Sequence, residues 1–250
     1  YSECGYAKEA LKCSEQMQSV GIMPTDVTIL CSLKSCSSVG ALDRGHNIHA
    51  DIEKKGLLEK DIMVGSTVVD MYAKCGSLRA AHKVFNQLPV RDVVLWNLLI
   101  SGYAEHGKCK HVFCVFDRMV VEGIKPDSVT FLVILNACNR TGIMSKSERL
   151  FEVMSRDFGI CPAVEHHTGM VGLLCRIGCM DVAFSAIEKM PCHNLVLWRS
   201  VLGACRNFGN VRFGKRAFQF AMQLDEKDAA SYALITQVCA YDDQPCLAVG

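Results

Sequence analysis

Apolar residues recur along this chain at helical spacing, and glycine cuts the pattern at short intervals. Over 63–74, Val64, Val68, Met71 and Tyr72 fall on one face of an α-helix. Cys75-Gly76-Ser77 ends it. Gly76 suits the left-handed backbone that follows a helix, and Ser77 is placed to cap the next one. A second helix is predicted over 78–88, with Leu78, Ala81, Val84, Phe85 and Leu88 facing inward and Leu88-Pro89 closing it. The same plan returns as 93–105, Gly107, 111–121 and Gly123-Ile124-Lys125-Pro126-Asp127. No segment holds the period-two alternation between tight turns that marks a strand. A short helix pair cannot bury its apolar face alone, so the pairs are expected to stack. The predicted fold is all-α, a right-handed α-solenoid of helix-turn-helix repeats.

A longer period contains the short one. Displaced by 102 positions, the sequence aligns with itself without a gap. Tyr1 meets Tyr103, Gly21 and Pro24 meet Gly123 and Pro126, and Cys36 meets Cys138. Gly76 meets Gly178, Leu88-Pro89 meets Met190-Pro191, and Leu95-Trp96 meets Leu197-Trp198.

Several runs carry a resemblance to a known family. They are Ser101-Gly102-Tyr103-Ala104 with Gly107, the Gly-Ile-Lys-Pro-Asp at 123–127, and Val69-Asp70-Met71-Tyr72-Ala73-Lys74-Cys75-Gly76-Ser77. Trp96-Asn97, four residues beyond Asp92, is another. Together they resemble the plant pentatricopeptide repeat (PPR) family, in its PLS subfamily of alternating P, L and S repeats. Triplets of that subfamily, about 35, 36 and 31 residues, sum to the observed period. The resemblance implies a partial P repeat at 1–25, an L repeat at 26–61 and an S repeat at 62–92. A P repeat at 93–127, an L repeat at 128–163 and an S repeat at 164–194 follow. Residues 195–228 resemble a first E motif, and 229–250 a truncated, degenerate second one.

The resemblance also implies function. In the family, the fifth and last residues of a repeat select one unstacked RNA base. Those pairs fall on Ser66 with Asp92, Asn97 with Asp127, and Thr168 with Asn194. Ser or Thr with Asp implies G, Asn with Asp implies U, and Thr with Asn implies A. Leu30 and Leu132 occupy the fifth positions of the L repeats and cannot hydrogen-bond a base. The implied register is 5′-G-U-N-A-3′. Val64 and Leu95 are open to two readings, base-sandwiching or core. Asp92 and Asp127 also suit ordinary helix N-caps. The implied partners are single-stranded organellar RNA, a DYW-type deaminase and multiple organellar RNA-editing factors. The implied location is the mitochondrion, with the chloroplast as the alternative.

Composition narrows the chemistry. With 27 Lys and Arg against 26 Asp and Glu, no global field draws the chain to nucleic acid, so phosphate contacts must be local. Lys74, Lys108, Lys110 and Arg176 are candidates, or ordinary solvated charges. Fifteen cysteines in 250 residues fall below the density of a secreted disulfide scaffold and are read as reduced, small and buried. A zinc deaminase needs His-x-Glu and Cys-x-x-Cys; neither occurs. Cys175, Cys179 and Cys192-His193 make only a weak metal pattern, and His49 and His166 stand where the family carries structural histidines. No enzyme, cofactor, metal or small-molecule substrate is expected. No apolar run is long enough to span a bilayer. The chain does not begin with Met and reads as a fragment. The expected role is site recognition for C-to-U RNA editing, with the deaminase supplied elsewhere. The alternatives are RNA stabilisation, splicing or translation, and a protein scaffold or degenerate copy.

Overall fold

Gly76 sits at φ +81°, and Gly178, one long period later, at +83°. Each reverses the chain between two antiparallel helices, in backbone that only glycine adopts without strain. The computed structural model describes residues 6–188 and 194–240. It is a solenoid of stacked helix-turn-helix units, with no strand among the described residues. No described helix is long and apolar enough to cross a membrane. The chain divides after Ile134 into two compact units.

The first unit holds α1 (Ala7–Ser19), α2 (Asp26–Val39), α3 (Leu42–Lys54), α4 (Leu57–Lys60), α5 (Ile62–Lys74), α6 (Leu78–Gln87), α7 (Val93–Glu105) and α8 (Cys109–Val121). The division falls inside α9 (Ser128–Thr141). Within the first unit, α2, α5 and α7 pack side by side, and α3, α6 and α8 fold back on their partners. The core is the face that the periodicity marks: Val64, Val68, Met71, Phe85, Leu95, Trp96 and Leu99 are all fully buried. Each such side chain contributes about 1.5–3 kcal/mol by leaving water. Phe85 meets Trp96 edge-on at 4.6 Å between ring centroids.

The second unit holds α10 (Met144–Arg156), α11 (Val164–Arg176), α12 (Met180–Glu188), α13 (Leu195–Phe208), α14 (Val211–Leu224) and α15 (Ala229–Cys239). Here α13 is central, against α11, α14 and α15. Trp198 stacks on Phe220 with 6° between the rings and closes a core of Val171, Phe184, Val201 and Leu202.

The structure moves several expectations. Ser77 precedes α6, but at ψ 63° its backbone is not extended and its hydroxyl makes no capping hydrogen bond. The one-turn helix α4 was not expected, α8 starts two residues before 111, and α6 stops at Gln87. The cysteines do not all pack inside. Cys36, Cys175 and Cys205 are buried, and desolvation pushes their thiols up to about 11, 12 and 11. Cys13, Cys114, Cys161 and Cys179 are exposed on outer faces. Cys192-His193, Met190-Pro191 and the tail beyond Ala240 lie outside the described residues.

Candidate nucleic-acid interface

Asn97 is the fifth residue of α7, behind a helix start fixed by Asp92, whose Oδ1 accepts from the Leu95 N–H at 2.9 Å. Asp127 does the same for α9, accepting from the Thr130 N–H at 2.8 Å. The turn of Gly123 to Pro126 brings Asp127 back to Asn97, whose Nδ2 donates to Asp127 Oδ1 at 3.0 Å. The Thr130 hydroxyl lies 2.7 Å from Asn97 Oδ1 and 2.8 Å from Asp127 Oδ1. A carboxylate cannot donate, so the amide atom facing Asp127 must be the NH₂. That fixes the amide. One Nδ2–H and one Oδ1 lone pair are left, and a donor beside an acceptor complements the N3–H and carbonyl edge of uracil.

The hydrogen bonds from Asn97 and Thr130 to Asp127 all end on Oδ1, leaving Oδ2 available to a ligand. Burial alone would raise this carboxyl, but hydrogen bonds from Thr130 and Asn97 outweigh it and hold the pKa below the usual carboxylate value. Asn97 is only 8% exposed, so the pair is a pre-formed, partly covered site rather than a loose surface amide.

The other two expected pairs are not joined. Ser66 Oγ donates to the Ile62 carbonyl at 2.7 Å, one turn back in its own helix. Asp92 caps α7 and remains exposed. In the second unit, Thr168 Oγ1 donates to the Val164 carbonyl at 2.8 Å, and Asn194 Oδ1 accepts from the Val196 N–H at 2.8 Å. Asp92 and Asn194 thus act as N-caps, and Asp127 acts as both cap and pair member.

Val64 and Leu95 resolve to core, each with no exposed surface. Apolar residues are exposed at the second position of successive repeats instead. Met63 is 59% exposed, Val94 57%, Val129 52%, Val27 69% and Val196 48%. Each lies three residues before the fifth position of its repeat, on the same helix face. At Met63-Val64, Val94-Leu95 and Val196-Leu197 periodicity could not separate them from core residues, because adjacent positions are both apolar. Their regular return at the second position of each repeat was the available signal.

The cations are dispersed. Lys74 Nζ is held by Asp70 at 2.8 Å, while Lys110 and Arg176 are exposed. Lys108, Arg79 and His111 line an open hollow of ≈ 520 Å³ where α6 and α8 begin. Three histidines bond to neighbouring groups. Tyr72 OH lies 3.0 Å from the Nδ1 atoms of both His46 and His49, and buried His166 accepts from the Ala163 N–H through Nδ1. Among the described residues no three His, Cys, Asp or Glu side chains gather into a metal-holding group.

One arrangement escaped the sequence reading. Arg199 stands where the offset of 102 carries Asn97, and it forms a bidentate pair with Asp228 through Nε and Nη2. The guanidinium, with hydrogen bonds from Ser231, holds the Asp228 carboxyl well below the usual range. The constant offset was the signal for Arg199, while Asp228 stands one position short of the residue that the offset carries from Asp127.

Comparison with known proteins places this geometry in a family. The profile of the PPR repeat family matches residues 91–140, and that of the single PPR repeat matches 66–93, 129–157 and 165–195. The chloroplastic pentatricopeptide repeat-containing protein CRR2 of Arabidopsis thaliana is 38% identical over 243 residues, 96% of this chain and 37% of that protein. A mitochondrial Arabidopsis relative is 37% identical over 227 residues, 90% of this chain and 25% of its own length. The chain therefore spans between a quarter and two fifths of these relatives. Among solved structures, the maize pentatricopeptide repeat protein PPR10 superposes with a TM-score of 0.72 at 17% identity, over 96% of this chain and 35% of that one. PPR10 has also been crystallised with an 18-nt psaJ RNA element. The repeat matches, the family-wide similarity and the helix-pair stack agree: this chain belongs to the pentatricopeptide repeat family.

Proposed function

We propose that this chain binds single-stranded organellar RNA one base per repeat and serves as a site-recognition segment for C-to-U editing. The observation that carries the reading is the Asn97–Asp127–Thr130 network, in which a locked amide keeps one donor and one acceptor for a base. Met63, Val94 and Val129 offer apolar surface to base faces beside the reading positions. Lys108 and Arg79 supply local cations for the phosphate backbone.

The PLS order of repeats and the E-like end at 195–228 support editing over stabilisation, splicing or translation. Catalysis then belongs to a DYW-type deaminase brought in trans or carried elsewhere, with multiple organellar RNA-editing factors as partners. The mitochondrion is the proposed location and the chloroplast the alternative.

Sequencing organellar transcripts from a plant lacking the gene tests this. Loss of editing is expected at one or a few cytidines downstream of 5′-G-U-N-A-3′. Unchanged editing with altered splicing or transcript level would transfer the role to RNA processing. No change in any RNA would sink both.

A further inference from the structure

The unit that begins at α13 repeats the constellation around Asn97 with one substitution. Val196 takes the place of Val94, exposed by 48% against 57%. Asp228 takes the place of Asp127, each capping the helix after it. Ser231 takes the place of Thr130, its hydroxyl donating to the Asp228 carboxylate as Thr130's lies against Asp127. Arg199 replaces Asn97.

The change redistributes the hydrogen bonds. Asp228 accepts from Arg199 Nε, Arg199 Nη2, the N–H groups of Ala230 and Ser231, and the Ser231 hydroxyl. A carboxylate offers about four lone-pair sites, so this one is full and cannot read a base. Arg199 has five N–H donors and uses Nε and one on Nη2. The outer fork remains, made of Nη1 and the second Nη2 hydrogen. Its plane is fixed by the carboxylate behind it, and the side chain is 39% exposed.

A planar fork of donors takes an edge with two adjacent acceptors. Guanine presents O6 and N7 in that spacing, and an unpaired cytosine presents N3 and O2. Adenine sets a donor beside N7, and uracil sets N3–H beside each carbonyl. A phosphate also suits a fork, but the carboxylates of Asp228 and Asp225 both act on Arg199 and oppose an added anion. A neutral base edge is favoured there over an anion.

We infer that Arg199, positioned by Asp228, selects a base with two adjacent acceptors, guanine or cytosine, over adenine and uracil, and that it extends the recognised sequence to 5′-G-U-N-A-S-3′, S being either of those two bases. The inference rests on the one-base-per-repeat reading above. It adds the first nucleotide 3′ of the A assigned to Thr168 and Asn194.

The test is fluorescence anisotropy with the full chain and labelled RNAs carrying 5′-G-U-C-A-X-3′, where X is each of the four bases. Binding with X as G or C is expected to be about tenfold tighter or more than with X as A or U. Arg199→Lys keeps the charge but loses the fork. It is expected to abolish the preference at X while changing affinity for the A and U RNAs less than about threefold. Equal binding of all four, or best binding with X as A or U, overturns the inference. Loss of affinity in Arg199→Ala that is the same for every X, with a salt slope lower by about one, would make the residue a phosphate contact and also overturn it. Replacing the U assigned to Asn97 is the control. If that change costs nothing, the base-per-repeat reading fails; if it weakens binding while X is indifferent, only the Arg199 inference fails. Should Arg199→Ala not fold by circular dichroism, Arg199→Lys decides alone.

Discussion

Gly102 lets α7 approach α5 so closely that a Cβ at its position would stand 2.7 Å from the Cβ of Ala73. The contact joins the first helices of successive repeats, the helices that carry the fifth-position residues. Gly102→Val forces a branched side chain into backbone-scale space. It is expected to destabilise the chain by about 1–3 kcal/mol, read as a lower urea midpoint with unchanged m-value. An unchanged midpoint would mean that the helices separate freely.

Recoding follows from the pairs. Ser66→Asn gives the S repeat the same two residues as Asn97 and Asp127. Its preferred base is expected to move from G to U, with preference elsewhere unaltered. The reciprocal Asn97→Ser is expected to move U to G and to leave Thr130 without its amide partner, at about 1 kcal/mol of stability. Competition binding with RNAs differing at those two nucleotides checks both. A variant with unaltered base order would show that Ser66 and Asn97 do not read.

Val94 is exposed and contributes little to the core. Val94→Asp is expected to leave the melting temperature nearly unchanged, within about 0.5 kcal/mol. RNA affinity should fall at least about fivefold, from lost apolar contact and the added negative charge beside the strand. Equal affinity would remove the exposed valines from the interface.

Burial lowers the pKa of His49, His82 and His167. For His82, the nearby Arg118 and His111 add to the effect. These rings fold in the neutral form. Below about pH 6.5 the unfolded chain takes up protons that the folded one resists, so stability is full above that pH and declines as pH falls through the lowered values. The melting temperature is expected to drop between pH 7 and pH 5. His82→Gln keeps a polar partner for the Tyr103 hydroxyl, which lies 2.9 Å from Nδ1, and should make the drop shallower. A flat profile over that range would contradict the assignment.

Much of the fold was legible because each helix pair carries its own punctuation. Gly76 and Gly178 mark the reversals, Asp92 and Asp127 the helix starts, and Val68 and Phe85 the inner faces. What was not legible depends on the geometry of single residues and on contacts distant in sequence. Ser77 looks like a cap, yet its backbone is not extended and its hydroxyl makes no capping hydrogen bond. Val64 and Met63 are adjacent and equally apolar, and only packing against α6 and α7 decides which one is covered. Ser66 and Asp92 have the residue types of a pair but engage their own helices. The Arg199–Asp228 bridge spans 29 residues and joins types that, read singly, are ordinary surface charges.

Burial of Cys36, Cys175 and Cys205 gives the chain an internal clock for opening. Thiol chemistry runs through the thiolate, and with pKa values at about 11 to 12 these sulfurs are almost wholly protonated at neutral pH. Alkylating reagents would consume Cys13, Cys114, Cys161 and Cys179 within the first exposure. These three interior thiols, like those of buried Cys109 and Cys138, would wait until the helices around them part. Cys36 lies in one unit, and Cys175 and Cys205 lie in the other. The order in which they become labelled would date the unfolding of each unit separately, with no foreign probe introduced.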